Sequence, residues 1–299
     1  MTMPYHEGEL AVQARAGVQG MAARVGRSIA PHLTPPLAAL LARQDLLVLA
    51  APDLQGRPWA TVLSGPPGFV QPLDPQTLVL HARLRHDDPV GKHLLIGVPI
   101  GVLAIDLSTR QRVRVNGTVA TTGDGLVLRV EQAYGNCPKY IQKRVGETTG
   151  SGGASPFHVT SGELLPDALA LIREADTFFM ATVHPAGGTD ASHRGGRPGF
   201  VRALDSRHLE FPDYAGNAMF NTLGNIEATG RAGLLFLDFT RDRALHLTGT
   251  ARVVWDEDRL SAHPGAERLV EVTVDHVVTR DSATGRVWTL REASPYNPA

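Results

Sequence analysis

Cysteine is almost missing: the 299 residues contain one, Cys137, so no disulfide can close within the chain and a reducing compartment is expected. An excess of charge of either sign is missing too. Twenty-nine Lys and Arg against 30 Asp and Glu leave a formal net charge of −1, which argues against a general nucleic-acid or membrane-surface binder and makes any anion site a local feature. No apolar run reaches the roughly 18 residues of a membrane-spanning helix. The opening M-T-M-P-Y-H-E-G-E-L has no basic segment followed by an apolar one. The expectation is a cytoplasmic protein with no membrane and no nucleic-acid partner. Twelve histidines fall into no H-E-x-x-H or paired-cysteine spacing, so no metal site is expected. G-x-x-x-x-G-K-[ST] and G-x-G-x-x-G are absent, which counts against a nucleoside triphosphate and a Rossmann unit. Neither paired carboxylates nor a nucleophile–base spacing is visible, which leaves catalytic residues unassigned.

Apolar residues are plentiful: at 42 % of the chain they suffice for two cores, the natural number for this length. Residues 7–27 read as a helical arm weakened at Gly17 and Gly20 and closed by Pro31, Pro35 and Pro36, after which a short helix restarts over 37–43. Runs at 46–51, 59–63, 77–82, 100–107 and 112–120 read as short strands between turn residues, and G-L-L-F-L-D-F at 233–239 as a fully buried one. No long helix separates them. The fold class is therefore mainly β, an antiparallel sheet that closes on itself with a few α elements.

The strands occur twice. Sliding the chain on itself by 131 residues brings Asp45, Gly56, Gly65, Pro67, Gly68, Phe69 and Val70 onto Asp176, Gly187, Gly196, Pro198, Gly199, Phe200 and Val201. At an offset of 132, Leu103, Asp106, Gly117 and Thr118 fall on Leu235, Asp238, Gly249 and Thr250. These identities sit at turns and apolar positions, so they specify backbone shape more than chemistry. The division is a helical arm at 1–30, a first repeat at 31–145, a Gly/Ser-rich linker at 146–161 and a second repeat at 162–299.

The repeats differ in their polar residues. The second has Ser192 and Arg194 where the first has Thr61 and Leu63. With Asn217, Asn221 and Thr222 these could satisfy a dianion, although the asparagines equally suit turns. In the first repeat Arg110, Arg112 and Arg114 share one face of a strand by period-two geometry, as phosphate ligands or as a solvated row.

R-G-G-R-P-G-F-V at 194–201, L-E-F-P-D-Y-A-G-N-A-M-F-N-T-L-G-N-I at 209–226 and G-L-L-F-L-D-F at 233–239 resemble the pyridoxamine 5'-phosphate oxidase-like group of FMN-binding split barrels. R-V-R-V-N-G at 112–117 and Q-A-Y-G-N-C-P-K-Y-I-Q-K-R at 132–144 are similar to its tandem members. The resemblance implies two tandem six-stranded antiparallel Greek-key barrels with FMN at their interface. One chain could then supply both halves as an intrachain pseudo-dimer, a homodimer being the further assembly. Its positions for a serine and lysine that grip the FMN phosphate fall near Asn221 and Thr222, neither of them cationic, and its C-terminal arginine–histidine motif is missing. Oxidation of pyridoxamine phosphate itself is therefore not expected. Lys139, Tyr140 and Gln142 could close over the flavin of the other barrel; the alternative is a helix capped by Asn136 and Pro138. The implied function is an FMN-dependent oxidoreductase acting on a small organic substrate or redox partner. A flavin-binding electron carrier and a cofactor-free scaffold are the other two readings.

Overall fold

Gly17 adopts φ 69°, backbone that glycine enters without strain, and it divides the N-terminal arm into α1 (Glu7–Arg15) and α2 (Gln19–Gly26). The computed structural model describes residues 4–123, 125–150, 155–160 and 162–298. α3 (Pro35–Leu41) starts on two prolines, which occupy a helical turn whose amides would have no partner, and so begins two residues before the expected 37. No helix among the described residues is long and apolar enough to cross a membrane.

The first repeat comprises β1 (Leu46–Pro52), β2 (Pro58–Ser64), β3 (Val70–Asp74), β4 (Thr77–Leu80), β5 (Pro99–Asp106), β6 (Gln111–Thr122) and β7 (Leu126–Gly135). β8 (Lys143–Thr148) and β9 (His158–Thr160) follow. The second repeat comprises α4 (Pro166–Glu174), β10 (Thr177–His184), β11 (Gly188–Gly195), β12 (Arg202–Ala203), β13 (His208–Tyr214), α5 (Asn221–Thr229), β14 (Arg231–Asp238), β15 (Arg243–Val254), α6 (Glu257–Leu260) and β16 (Ala266–Arg280), before β17 (Arg286–Glu292). The first sheet runs β2-β1-β5-β6-β7-β4-β3 and the second β11-β10-β14-β15-β16-β13-β12, the same order throughout. Every pairing is antiparallel, and the β1–β5 and β4–β7 neighbours are crossovers of Greek-key type. The fold is two tandem split barrels, each with a short seventh strand, β3 or β12, beyond the implied six.

The uninterrupted apolar runs are explained by burial on both faces. Leu47, Leu49 and Ala51 of β1 face the first barrel's interior, while Leu46, Val48 and Ala50 join a separate cluster with Phe179, Ala181, Leu235 and Leu237 of the second repeat. In β10 the same alternation sends Phe178 and Met180 inward and Phe179 and Ala181 to the seam. The seam is tight at two equivalent glycines. A Cβ on Gly101 would lie 2.8 Å from Ala191 N and Thr189 O, and one on Gly233 would lie 2.4 Å from Pro58 O. Each repeat thus presses a β5- or β14-type strand on the β2-type strand of the other.

Of the stretch 146–161, residues 146–148 lie in β8, which pairs with β17, and 158–160 form β9, which pairs with β16. Residues 151–154 and 161 lie outside the described residues.

Candidate functional site

Two strands, a connecting segment and a helix start meet on one side of the seam. β6 brings Arg112 and Arg114, β11 brings His193 and Arg194, the segment after β7 brings Asn136, Cys137, Lys139 and Tyr140, and the first turn of α5 brings Asn221 and Thr222. They surround a cavity of about 100 Å³ that also touches Asn217, Tyr214 and Phe200.

The sequence places α5 unusually. Asn217, whose Oδ1 accepts from the Met219 amide at 3.1 Å, makes the turn that its residue type favours. Ala218 and Phe220 then take left-handed backbone (φ 63° and 62°), an uncommon conformation for side chains with a Cβ, and the helix begins at once. The stretch whose asparagines suit turns is therefore helical from Asn221 onward, because this double left-handed step redirects the chain into a helix within three residues. No side chain among the described residues caps that helix, and its first residues, Asn221, Thr222 and Leu223, line the cavity.

The electrostatics are unbalanced. Arg114 pairs with Asp190 at 2.8 Å, and Arg194 shares Asp213 with Arg268. Among the described residues Arg112 makes no ion pair; its Nη1 lies 3.1 Å from Nδ1 of His193. Arginine can only donate, so Nδ1 accepts and the His193 hydrogen sits on Nε2. Burial first, then the four arginines around it, hold His193 well below its ordinary pKa and therefore neutral. The same causes, burial and then Arg114 and Arg194, draw Arg112 down to about 9, so it stays charged at neutral pH. Four N–H groups around the cavity are sealed from solvent with no acceptor among the described residues: Nε of Arg112, Arg114 and Arg194, and Nε2 of His193. Asn136 Oδ1, on the same lining, has no donor among them. Cationic donors thus outnumber acceptors there, the imbalance that an anion-binding site requires.

Eight of the ten sequence candidates line this cavity: Arg112, Arg114, Lys139, Tyr140, Arg194, Asn217, Asn221 and Thr222. Ser192 does not; it is fully buried behind Thr222, whose Oγ1 lies 3.0 Å from Ser192 Oγ and donates to Asp190 Oδ2 at 2.8 Å. Gln142 is buried elsewhere, donating to Gly196 O at 3.0 Å and accepting from Ser294 N at 2.7 Å. Arg110 leaves the expected row as well. Its φ of 58° turns it out of β6, and its guanidinium donates to the carbonyls of Ile141, Glu292 and Ala293. The helix considered for 136–144 does not form: Tyr140 has φ 66° and the chain enters β8 at Lys143. Tyr140 instead lies 5.2 Å from Tyr214, ring to ring, and donates to Ala215 O at 3.0 Å.

Sequence reasoning missed His193, Asp190 and Glu9. His193 stands between two residues that were singled out, but strand alternation assigns it to their opposite face. Glu9 of α1, from the other end of the chain, lies behind Asn221 and accepts hydrogen bonds from its side chain and from the His6 amide.

Residues 164–290 match the family model described as pyridoxamine 5'-phosphate oxidase. The second repeat is thus similar to the pyridoxamine 5'-phosphate oxidase family over nearly its whole length. Solved structures to which the chain is similar include the Group A Streptococcus protein HupZ (16 % identity, 44 % of this chain and 98 % of that one, TM-score 0.32). A putative pyridoxamine 5'-phosphate oxidase from Lactobacillus delbrueckii has 21 % identity over 40 % of this chain and 95 % of its own, with TM-score 0.33. An FAD-binding protein from Mesorhizobium loti has 11 % identity over 43 % and 98 %, with TM-score 0.30. No curated protein sequence matches. The cavity draws on both repeats, whereas the family model covers the second alone.

A second cluster, His6, Glu7 and His184, brings three metal-ligand side chains together. Its tautomers oppose a cation. Nδ1 of His6 accepts from Gly8 N at 3.1 Å and Nδ1 of His184 from Gly187 N at 2.8 Å, so in both neutral rings Nε2 carries the hydrogen. His6 Nε2 donates to Asn225 Oδ1 at 2.8 Å and His184 Nε2 to Glu7 Oε1 at 2.9 Å. Neither ring has a lone pair left for a metal.

Proposed function

We propose that this chain is a flavin mononucleotide-binding protein that holds the cofactor's phosphate at the seam of its two barrels and serves as an oxidoreductase toward a small organic substrate or a redox partner. The observation that carries the reading is the set of four N–H groups without acceptors around Arg112. A phosphate dianion would offset the excess of cationic donors. Arg112 and Arg194 would hold it with His193 Nε2–H, Lys139 and the first amides of α5, while Tyr140 and Tyr214 would shelter the site from water. A cavity of about 100 Å³ suits a phosphate-sized group rather than a tricyclic ring, so the ring would occupy the mouth of the cleft beside the two tyrosines. A bound flavin supplies hydride or electron-pair transfer, and the protein's part is to bind, orient and polarise it.

An electron-carrying module without a substrate of its own is the second reading, and one observation favours it. Asp213 is the only carboxylate among the described residues lining the cavity, and Arg194 and Arg268 already hold it. No free carboxylate among them can act as a base. Titration with FMN and with riboflavin tests the binding reading: FMN should bind at least ~100-fold more tightly, since the missing phosphate leaves charged donors unpaired. Equal affinities, or none, would remove it. Anaerobic reduction by NADH or NADPH followed by turnover with an added acceptor separates enzyme from carrier.

A further inference from the structure

The duplicated fold creates two equivalent positions at the seam, one for each pairing of a β6-type strand with the other repeat's β2-type strand. We propose that only one of them binds a ligand, giving one flavin per chain, and that the other has become an internal fastening between the repeats. This rests on the reading of the arginine site as a flavin phosphate site.

The residue exchanges decide it. Arg112 and Arg114 of β6 correspond to Ala244 and His246 of β15, because Leu103 pairs with Arg114 as Leu235 pairs with His246. Asp190, Ser192 and Arg194 of β11 correspond to Trp59, Thr61 and Leu63 of β2, as the pairings of Met180 with Ser192 and Leu49 with Thr61 show. All three strand arginines are therefore missing from the second position. Where Thr222 meets Ser192, the second position has Asp88, whose Oδ2 accepts from Thr61 Oγ1 at 2.6 Å. A fixed carboxylate thus stands in the place of a hydroxyl. Its other oxygen accepts from the amides of Val90 and Gly91 at 2.7 and 3.0 Å, which locks it there.

The remaining space is filled. Phe157 packs with its ring 5.4 Å from that of His246, and the Arg280 guanidinium lies 4.7 Å above the same phenyl ring. Phe157 also belongs to the first barrel's core cluster. His246 Nδ1 donates to Ala60 O at 2.8 Å, so its unpartnered Nε2 offers a lone pair rather than a hydrogen. One position thus gathers three arginines whose Nε groups lack acceptors among the described residues, only two of them paired with a carboxylate. The other has none of those three arginines, and it carries a fixed carboxylate, an inward lone pair and an aromatic plug held under the Arg280 guanidinium.

The test is the flavin-to-chain ratio of protein saturated with FMN and freed of excess, with flavin measured after denaturation and protein by amino-acid analysis. A ratio of one that falls below 0.1 in Arg112→Ala, while Asp88→Asn keeps it at one, is the expected result. A ratio of two overturns the inference but leaves the binding reading intact. A ratio of one half in a chain dimer, or a ratio of one that survives Arg112→Ala, also overturns it, and a ratio of zero overturns both. Because Asp88→Asn could impair folding, Phe157→Leu serves as the second variant and is likewise expected to keep the ratio at one; a fall in both folded variants would assign the ligand to the wrong position.

Discussion

The side-chain amide of Asn221 donates to the buried carboxyl of Glu9, a contact between residues 212 positions apart that ties the N-terminal arm to the floor of the candidate site. Burial, opposed by the two donors that Glu9 accepts from, raises its pKa to about 7.

This fixes a pH dependence. Between its ordinary value near 4.5 and about 7, the folded protein holds a proton that the unfolded chain has released, so stability is fully present below pH 4.5 and declines as pH rises through 7. The total is ~3 kcal/mol at one pKa unit per 1.36 kcal/mol. Glu9→Gln should flatten that decline, as urea unfolding at pH 5 and pH 7.5 will show. Parallel profiles for the two proteins would dismiss the role.

Arg112 and Arg194 should respond with opposite signs in the free protein. Arg112 has no carboxylate among the described residues and sits among like charges, so Arg112→Ala should leave the flavin-free protein as stable or ~1–2 kcal/mol more stable. Arg194→Ala removes a partner of Asp213 and should cost about 1 kcal/mol. Each should weaken FMN binding by ~1.5–3 kcal/mol. Calorimetric melting with and without FMN reads both effects, and unchanged affinity in either variant takes that residue off the site.

The seam glycines offer a contrast with an ordinary helix glycine. Gly233→Ala drives a methyl against Pro58 O and should destabilise by ~1–3 kcal/mol or more. At Gly20 in α2 the space that a methyl would enter has no described atom within 4 Å, and the backbone is helical, so Gly20→Ala should stabilise by ~0.5–1 kcal/mol. Melting temperatures that move the same way would contradict the seam packing.

Gln142 fastens the C-terminal tail rather than a ligand. Its Oε1 accepts from Ser294 N and from Asn297 Nδ2, at 2.7 and 3.2 Å. Gln142→Ala should leave FMN affinity within about two-fold while exposing residues 294–298 to carboxypeptidase, since each buried group left unpaired costs ~1–3 kcal/mol. Slow trimming equal to that of the parent protein would refute this.

Much of the fold was legible because it is written in local pattern. Strands at 46–52, 58–64 and 99–106 fall within a residue of the apolar runs that announced them. β16, by contrast, spans 15 residues from Ala266 to Arg280 with charged and polar residues scattered along it, and its length comes from pairing with β13 and β15 at once. The helix at 221–229 was hidden for the opposite reason: its entry depends on left-handed backbone at Ala218 and Phe220, for which neither residue type gives a signal.

The sequence by itself determined that there are two like repeats, that both are antiparallel β structures, and that a basic strand in one and a polar strand in the other carry the unusual residues. Those are consequences of periodicity, turn chemistry and composition, which act over a few residues. Only the tertiary structure decided that Arg112 faces His193 and not a carboxylate, that Ser192 and Gln142 lie behind the site, and that Asp88 and Phe157 close its twin. Charge balance and burial arise between segments far apart in the chain, and they exist only once the two barrels are pressed together.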